Sequence, residues 1–285
     1  MTSGTKIVGL ILTLNEELRI ERSIRSLQSV ADTVVIVDSE STDATREIAR
    51  RLGSDVVVHP FRGFSQQRTW AIEYVVATHS PDLVLTIDAD EWLTDELLSD
   101  IEGRTSSGTL DADVYLMNRK VIFDGRWLRW GGFARTWLPR MFRPGSATYE
   151  DRGVNEHLNI AENATISRLK GHLVNDDVIS WEDHIAKHNR YSTLEAHARL
   201  RVERGQDRRT TFSDAVRLPY MRRRWLRQHV WDRLPARPAI RFVQLYILGG
   251  GCFDGTPGFR RALFEAWQEM CTDLKAEALS RSKSS

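Results

Sequence analysis

The chain has 285 residues, 41% hydrophobic and 28% charged, proportions that exclude a disordered chain and suit a globular protein with a sizeable core. A formal net charge of +1 sets up no global field of the kind that draws a protein onto nucleic acid. The two cysteines, Cys252 and Cys271, lack metal-type spacing and point to a reducing compartment.

Ile7 to Leu12 (IVGLIL) reads as a buried strand, with Ile20, Ile24 and Leu27 following at helical spacing. The same apolar run is too short and too weakly flanked for a secretory signal. Thr33 to Val37 (TVVIV) predicts a second strand. It stops at Asp38, Ser39, Glu40, Ser41, Thr42 and Asp43, capping residue types placed ahead of a helical run over Ala44 to Leu52. Asp55 to Val58 is a third short strand, Pro60 and Gly63 interrupt the pattern, and Phe64 to Ala77 predicts a helix with Trp70 and Tyr74 on one side. Leu83 to Ile87 is a fourth strand, apolar on both faces, and it runs into Asp88, Ala89, Asp90 and Glu91. Unpaired carboxylates are costly to bury, so this acidic group is expected to emerge at the strand's C-terminal edge. Beyond it, Asp95 to Ile101 reads as a short helix, Gly103 to Gly108 as a polar loop and Val114 to Met117 as a strand.

Strands alternating with helices predict a doubly wound, mostly parallel α/β sheet, which brings Thr13 to Glu16, Asp38 to Asp43 and Asp88 to Glu91 to one edge. Phe123 to Leu158 is rich in tryptophan and arginine. That composition suits a surface for sugar rings and phosphates, and equally a core edge with a basic rim. A long helix is expected over Trp181 to Val202. Between Arg217 and Arg241 eight arginines face one acid, Asp232, with Tyr220, Trp225 and Trp231 interleaved. Such a segment suits an anionic membrane surface, and without a recognition motif it is not read as a nucleic-acid patch. No stretch approaches the roughly 18 consecutive apolar residues of a spanning helix.

Asp88 and Asp90 stand two apart after a buried strand, and carboxylate oxygens without nearby cysteine or histidine favour magnesium or manganese. The competing reading is a pair of acids capping the next helix. An aspartyl-phosphate phosphohydrolase would carry its pair on the first strand, which excludes that class.

Four segments in this order, LILTLNEE, VDSESTDAT, GFSQQRTWAI and LTIDADEW, resemble the nucleotide-sugar domain of family 2 glycosyltransferases, inverting enzymes of the GT-A fold. WLPRMFRPGSATYEDRGVNEHL, KHNRYSTLEA and FVQLYILGGGCFDGTPGF resemble the bacterial branch containing lipopolysaccharide-core β-glucosyltransferases and exopolysaccharide glycosyltransferases. The resemblance implies a Rossmann-like GT-A domain, its nucleotide-sugar half over 1–118 and its acceptor half over 119–180, with a helical basic extension over 181–285. It implies that Thr13, Asn15, Glu16, Asp38, Ser41, Gln67 and Arg68 line the nucleotide. Asp88 would touch ribose or metal, Asp90 the metal, and Arg140 and Arg143 the diphosphate or acceptor. It places the catalytic base at Glu156, with Asp151 as runner-up. Asn155 and Asn175 stand where relatives have histidine.

The implied activity is metal-dependent, inverting transfer of a hexose from a nucleotide sugar, UDP-linked, to a lipid-linked envelope or exopolysaccharide acceptor. Partners are then the donor, the saccharide acceptor and an anionic membrane, on the cytoplasmic face of which the protein sits peripherally. A silent scaffold of the same fold, kept open by the two asparagines, and a nucleotidyltransferase are the alternatives. The latter lacks its N-terminal glycine-rich signature.

Overall fold

A computed structural model describes residues 5–133, 136–149, 158–176, 180–205, 225–226 and 229–281. Strand β1 (Ile7–Thr13) is followed by α1 (Ile20–Gln28), β2 (Thr33–Asp38), α2 (Thr45–Arg51), β3 (Asp55–Val58), α3 (Phe64–His79) and β4 (Leu83–Asp88). These are the alternating units that periodicity predicts, because each apolar run is bounded by capping or breaking residues. Then come β5 (Glu91–Leu93), α4 (Asp95–Ser107), β6 (Val114–Phe123), β7 (Arg126–Trp127), β8 (Thr136–Phe142), β9 (Ala147–Tyr149), β10 (Leu158–Ile160) and β11 (Ile166–Asp176).

The main sheet runs β3-β2-β1-β4-β8-β6-β11-β5. Its first four strands are parallel, with Thr13 beside Asp38 and Leu12 beside Asp88, so their C-terminal ends lie along one edge. Strand β8 is antiparallel to both β4 and β6, β11 is parallel to β6, and β5 is antiparallel to β11. The fold is therefore α/β with a Rossmann-like parallel half and a mixed continuation, the architecture expected of the GT-A class.

Alternation along the strands divides the core in two. Ile7 and Ile11 of β1 pack with Ile20, Ile24 and Leu27 of α1, Ala49 of α2 and Leu97 of α4. Val8 and Leu10 pack on the opposite face with Ala71 and Val75 of α3. Burial on both faces is why these strands read as continuous apolar runs.

Helix α4 is longer than expected, absorbing the segment from Gly103 that composition assigned to a loop. Arg104 pairs with Asp100 at 3.0 Å one turn back, and the Thr105 hydroxyl donates to the Ile101 carbonyl. The helix stops only at Gly108, which takes the left-handed conformation (φ 69°) that ends helices. Strand β11 crosses α4 at Gly171 (φ 86°), where a Cβ would stand 2.4 Å from the Leu97 nitrogen. Only glycine meets both the dihedral and the close approach.

The chain divides into two compact units, Met1–Ile122 with Phe133–Asp177, and Phe123–Gly132 with Val178–Ser285. The second contains α5 (Trp181–Glu203), α6 (Arg237–Val243) and α7 (Gly255–Arg281), with a π turn at Gln244–Leu248 and a 3-10 turn at Gly251–Asp254 between α6 and α7. Helix α5 is capped by the Ser180 hydroxyl, which accepts from the Asp183 N–H at 3.0 Å. It packs on α7 through Ala196, Leu200 and Ala276, and Arg199 reaches Asp273 at 3.0 Å. Among the described residues no helix is long and apolar enough to cross a membrane.

Candidate active site

The ends of β1 and β2 are tied together by side chains. Asp38 is fully buried. Its carboxylate accepts from the Thr13 hydroxyl at 3.0 Å, from the Ser41 hydroxyl at 2.5 Å and from the Ser41 N–H at 2.9 Å. Ser41 Oγ in turn accepts from the Asn15 N–H at 2.9 Å, while Asn15 Oδ1 accepts from the Thr42 N–H at 2.8 Å. Asn15 adopts φ 57°, a left-handed conformation that asparagine tolerates better than other non-glycine residues. Glu16 donates its N–H to Thr45 Oγ1 at 2.8 Å. Thr13, Ser41 and Asp38 thus form a buried polar brace, and Asn15 and Glu16 are the more exposed members of the loop it holds.

Gln67 and Arg68 are neighbours in α3 but point to different places, as consecutive helical residues must. Gln67 is buried, its amide donating to Ser39 Oγ at 3.2 Å and to the His59 carbonyl at 3.1 Å. Arg68 Nη2 donates to Asp88 Oδ1 at 2.7 Å, and its guanidinium faces the ring of Tyr149 at 5.4 Å.

At the end of β4 a charged lattice forms. One nitrogen of Arg140, Nη2, donates to Asp88 Oδ2 and to Glu91 Oε1, both at 2.8 Å. Glu91 Oε2 accepts from the Asp88 N–H at 3.0 Å. Burial alone would push Asp88 up, but the guanidiniums of Arg140 and Arg68 hold it well below the usual carboxylate range. Glu91 goes the other way. Burial, with the neighbouring Asp88 and Asp90 charges, lifts it to about 7 against the pull of Arg140. Arg140 is lowered by burial, yet the Asp88 and Glu91 carboxylates carry it above its ordinary value.

The expectation that the whole acidic group leaves the core is corrected here: Glu91 is 1% exposed, because its partner Arg140 is buried with it. Arg143 also needs correction. Val84 of β4 pairs with Phe142, so the chain leaving β8 carries Arg143 to the N-terminal end of β4, where it donates to the Leu110 carbonyl at 2.8 Å and faces Asp113. It is not brought to the Asp88 edge. Within the tryptophan- and arginine-rich stretch, Trp137 is faced by Arg168 at 4.9 Å and Trp127 by Arg129 at 4.5 Å, so both rings are paired with cations of the protein itself.

Composition alone passes over four groups that surround Asp90. Arg19 Nη1 stands 3.6 Å from Asp90 Oδ2, and the Ser23 hydroxyl donates to the Ala89 carbonyl at 2.7 Å. Arg22 lies over the Trp92 ring at 3.3 Å, and the Asp176 N–H donates to the Asp90 carbonyl at 3.1 Å. Arg19 and Ser23 are four apart at the start of a predicted helix, a spacing that would have found them. Asp176 needed the β5–β11 pairing, which sets Asn175 opposite Glu91. Glu156, Asp151 and Asn155 lie outside the described residues.

The donor set suits a hard divalent cation in one mode. Asp88 has an oxygen on each of two guanidiniums and Asp90 Oδ2 stands 3.6 Å from Arg19; a hard divalent cation at this edge would take carboxylate oxygen together with substrate phosphates and water. Among the described residues no group of three or more histidine, cysteine or acidic side chains forms a self-contained metal cage.

The sequence profile of glycosyl transferase family 2 matches residues 10–168, from β1 into β11. The chain belongs to this family. A stretch of 97 residues, 34% of the chain, is 46% identical to the glycosyltransferase RT0209 of Rickettsia typhi and spans 32% of that relative's length. The lipopolysaccharide core biosynthesis glycosyltransferase LpsC of Rhizobium meliloti is 28% identical over 271 residues, covering 93% of this chain and 89% of LpsC. Among solved structures, Staphylococcus aureus TarS 1–349 in complex with UDP-GlcNAc aligns over 93% of this chain and 92% of its own, at 20% identity and a TM-score of 0.44. As a family 2 glycosyltransferase, the chain carries its candidate donor edge where β1, β2 and β4 end.

Proposed function

We propose that the protein transfers a hexose from a UDP-linked sugar, with inversion, to a saccharide acceptor of the bacterial envelope, lipopolysaccharide or exopolysaccharide, carried on a lipid. The observation that carries the donor half is the set Asp88, Asp90, Arg68 and Arg140 assembled at the edge where Thr13 and Asp38 also end. The similarity to LpsC supports the acceptor class.

The braced loop over Thr13 to Glu16 seats the nucleoside. Asp90 holds the divalent cation, which supplies charge neutralisation on the departing diphosphate. Asp88 keeps Arg68 and Arg140 charged and aimed at the same edge, so that developing negative charge meets donors already in place. Inversion requires a base on the acceptor side to take the hydroxyl proton as that oxygen attacks the anomeric carbon in line. Glu156 is assigned that role, with Asp151 second.

A screen of nucleotide sugars for calorimetric binding and manganese-dependent hydrolysis tests the reading. UDP and a UDP-hexose are expected to bind. Failure of every nucleotide to bind in the presence of manganese or magnesium would overturn it in favour of a silent scaffold. For the base, Glu156→Gln is expected to lower transfer by about 10²-fold or more while nucleotide affinity stays unchanged. Normal turnover in that variant moves the role to Asp151.

A further inference from the structure

The second unit presents an apolar tip whose construction is unusual for a surface. Leu248 is 79% exposed and Phe253 75%, and Ile247, Phe259 and Leu263 are exposed beside them. Contiguous apolar side chains of this size on a surface mark a binding face. The tip is held rigidly outward. The Gly131 N–H donates to the Gly249 carbonyl at 2.7 Å, and both oxygens of Asp254 accept backbone N–H groups, from Arg129 at 3.0 Å and Trp130 at 2.9 Å. A Cβ on Gly258 would stand 2.0 Å from the Gly251 carbonyl oxygen, so the turn sits directly on the start of α7. Trp130 packs against Phe253 with ring centroids 5.4 Å apart, and Phe259 against Tyr246 at 5.5 Å. These contacts anchor the turn in a position that leaves Leu248 and Phe253 exposed.

Charge identifies what covers the tip. The Asp254 carboxylate is turned inward onto the backbone of the loop that carries Arg126 and Arg129. Arg126 is exposed beside Gly255, Arg129 is exposed on the same loop, and Arg260 is exposed near the start of α7, where it meets Asp124. A second copy docked through this face would set like charges opposite one another, since a two-fold interface pairs a patch with itself. An anionic lipid surface matches both the apolar tip and its basic surround, with Trp130 as the aromatic that favours the interface.

We propose that Ile247, Leu248 and Phe253, backed by Phe259 and Leu263, form a wedge that inserts at the headgroup–acyl boundary of an anionic bilayer. This deepens the reading of a lipid-carried acceptor and rests on it for its purpose, not for its evidence. The full chain is tested by flotation with phosphatidylcholine vesicles and with mixed phosphatidylcholine–phosphatidylglycerol vesicles. The wild type is expected to float with the mixed vesicles and not with the neutral ones. Leu248→Gln/Phe253→Gln is expected to weaken that binding about tenfold or more, with circular dichroism and thermal unfolding unchanged because both side chains are exposed. A wild type that stays in solution, or a double variant that floats as well as the wild type, overturns the proposal. A wild-type dimer that the double substitution dissolves, without vesicle binding, reassigns the face to a second copy. UDP calorimetry on the same preparations separates the two readings: lost flotation with intact nucleotide binding refutes the wedge alone, and intact flotation without nucleotide binding refutes the transferase alone.

Discussion

At the scale of single residues, the two aspartates of the DADE segment differ in kind. Asp88 is held by Arg68 at 2.7 Å and Arg140 at 2.8 Å, whereas the Arg19 guanidinium stands 3.6 Å from Asp90. Asp90→Asn, which replaces a carboxylate with a poorer ligand, is expected to reduce metal-dependent transfer by about 10²-fold or more, read as kcat/KM against manganese concentration. Removing Arg140 acts on stability as well. Arg140→Met leaves Glu91 buried without its cation, and the expected loss is about 3–5 kcal/mol by urea denaturation. Adding Glu91→Gln to that variant should recover part of the loss, since the buried charge is then gone. Which acid is held by arginine could not be read from an Asp-x-Asp spacing, because Arg68 and Arg140 come from 20 residues before and 52 after.

At the scale of elements, α1 to α3 and β1 to β4 were legible because each apolar run has one period and ends at Gly, Pro or a capping residue. Helix α4 was not, because its second half owes its stability to Arg104–Asp100 and to packing under β11 rather than to an apolar stripe. Gly171 is where that packing is tightest. Gly171→Ala is expected to cost about 1–3 kcal/mol for the left-handed dihedral alone, and more for the overlap with Leu97, measured as a fall in the urea midpoint. Arg143 lies away from the Asp88 edge for a reason of register. Arg140 and Arg143 are three apart in sequence, yet on an antiparallel strand three residues lead away from the site by about 10 Å.

At the scale of the whole molecule, each compact unit has its own core and its own charged centre. In the second unit Glu265, half-buried, faces Arg241 at 3.1 Å and is also paired with Arg261. Burial pushes its carboxyl up, but those guanidiniums bring it below its ordinary 4.5. Its folded value being depressed, Glu265 contributes stability above about pH 4.5 that is lost as pH falls through the folded value. Acid titration followed by tryptophan fluorescence is expected to show this loss, and Glu265→Gln to flatten it. The sequence by itself determined the α/β class, the parallel pairing of the first strands and the family, since apolar periodicity and a handful of ordered motifs are local properties of the chain. Only the tertiary structure decided that Glu91 is buried, that Arg68 and Arg140 converge on Asp88, that Arg19 and Asp176 flank Asp90, and that Leu248 and Phe253 face outward. Burial and ion pairing depend on which distant segments the sheet order and the register bring together, and neither is written in the spacing of neighbours along the chain.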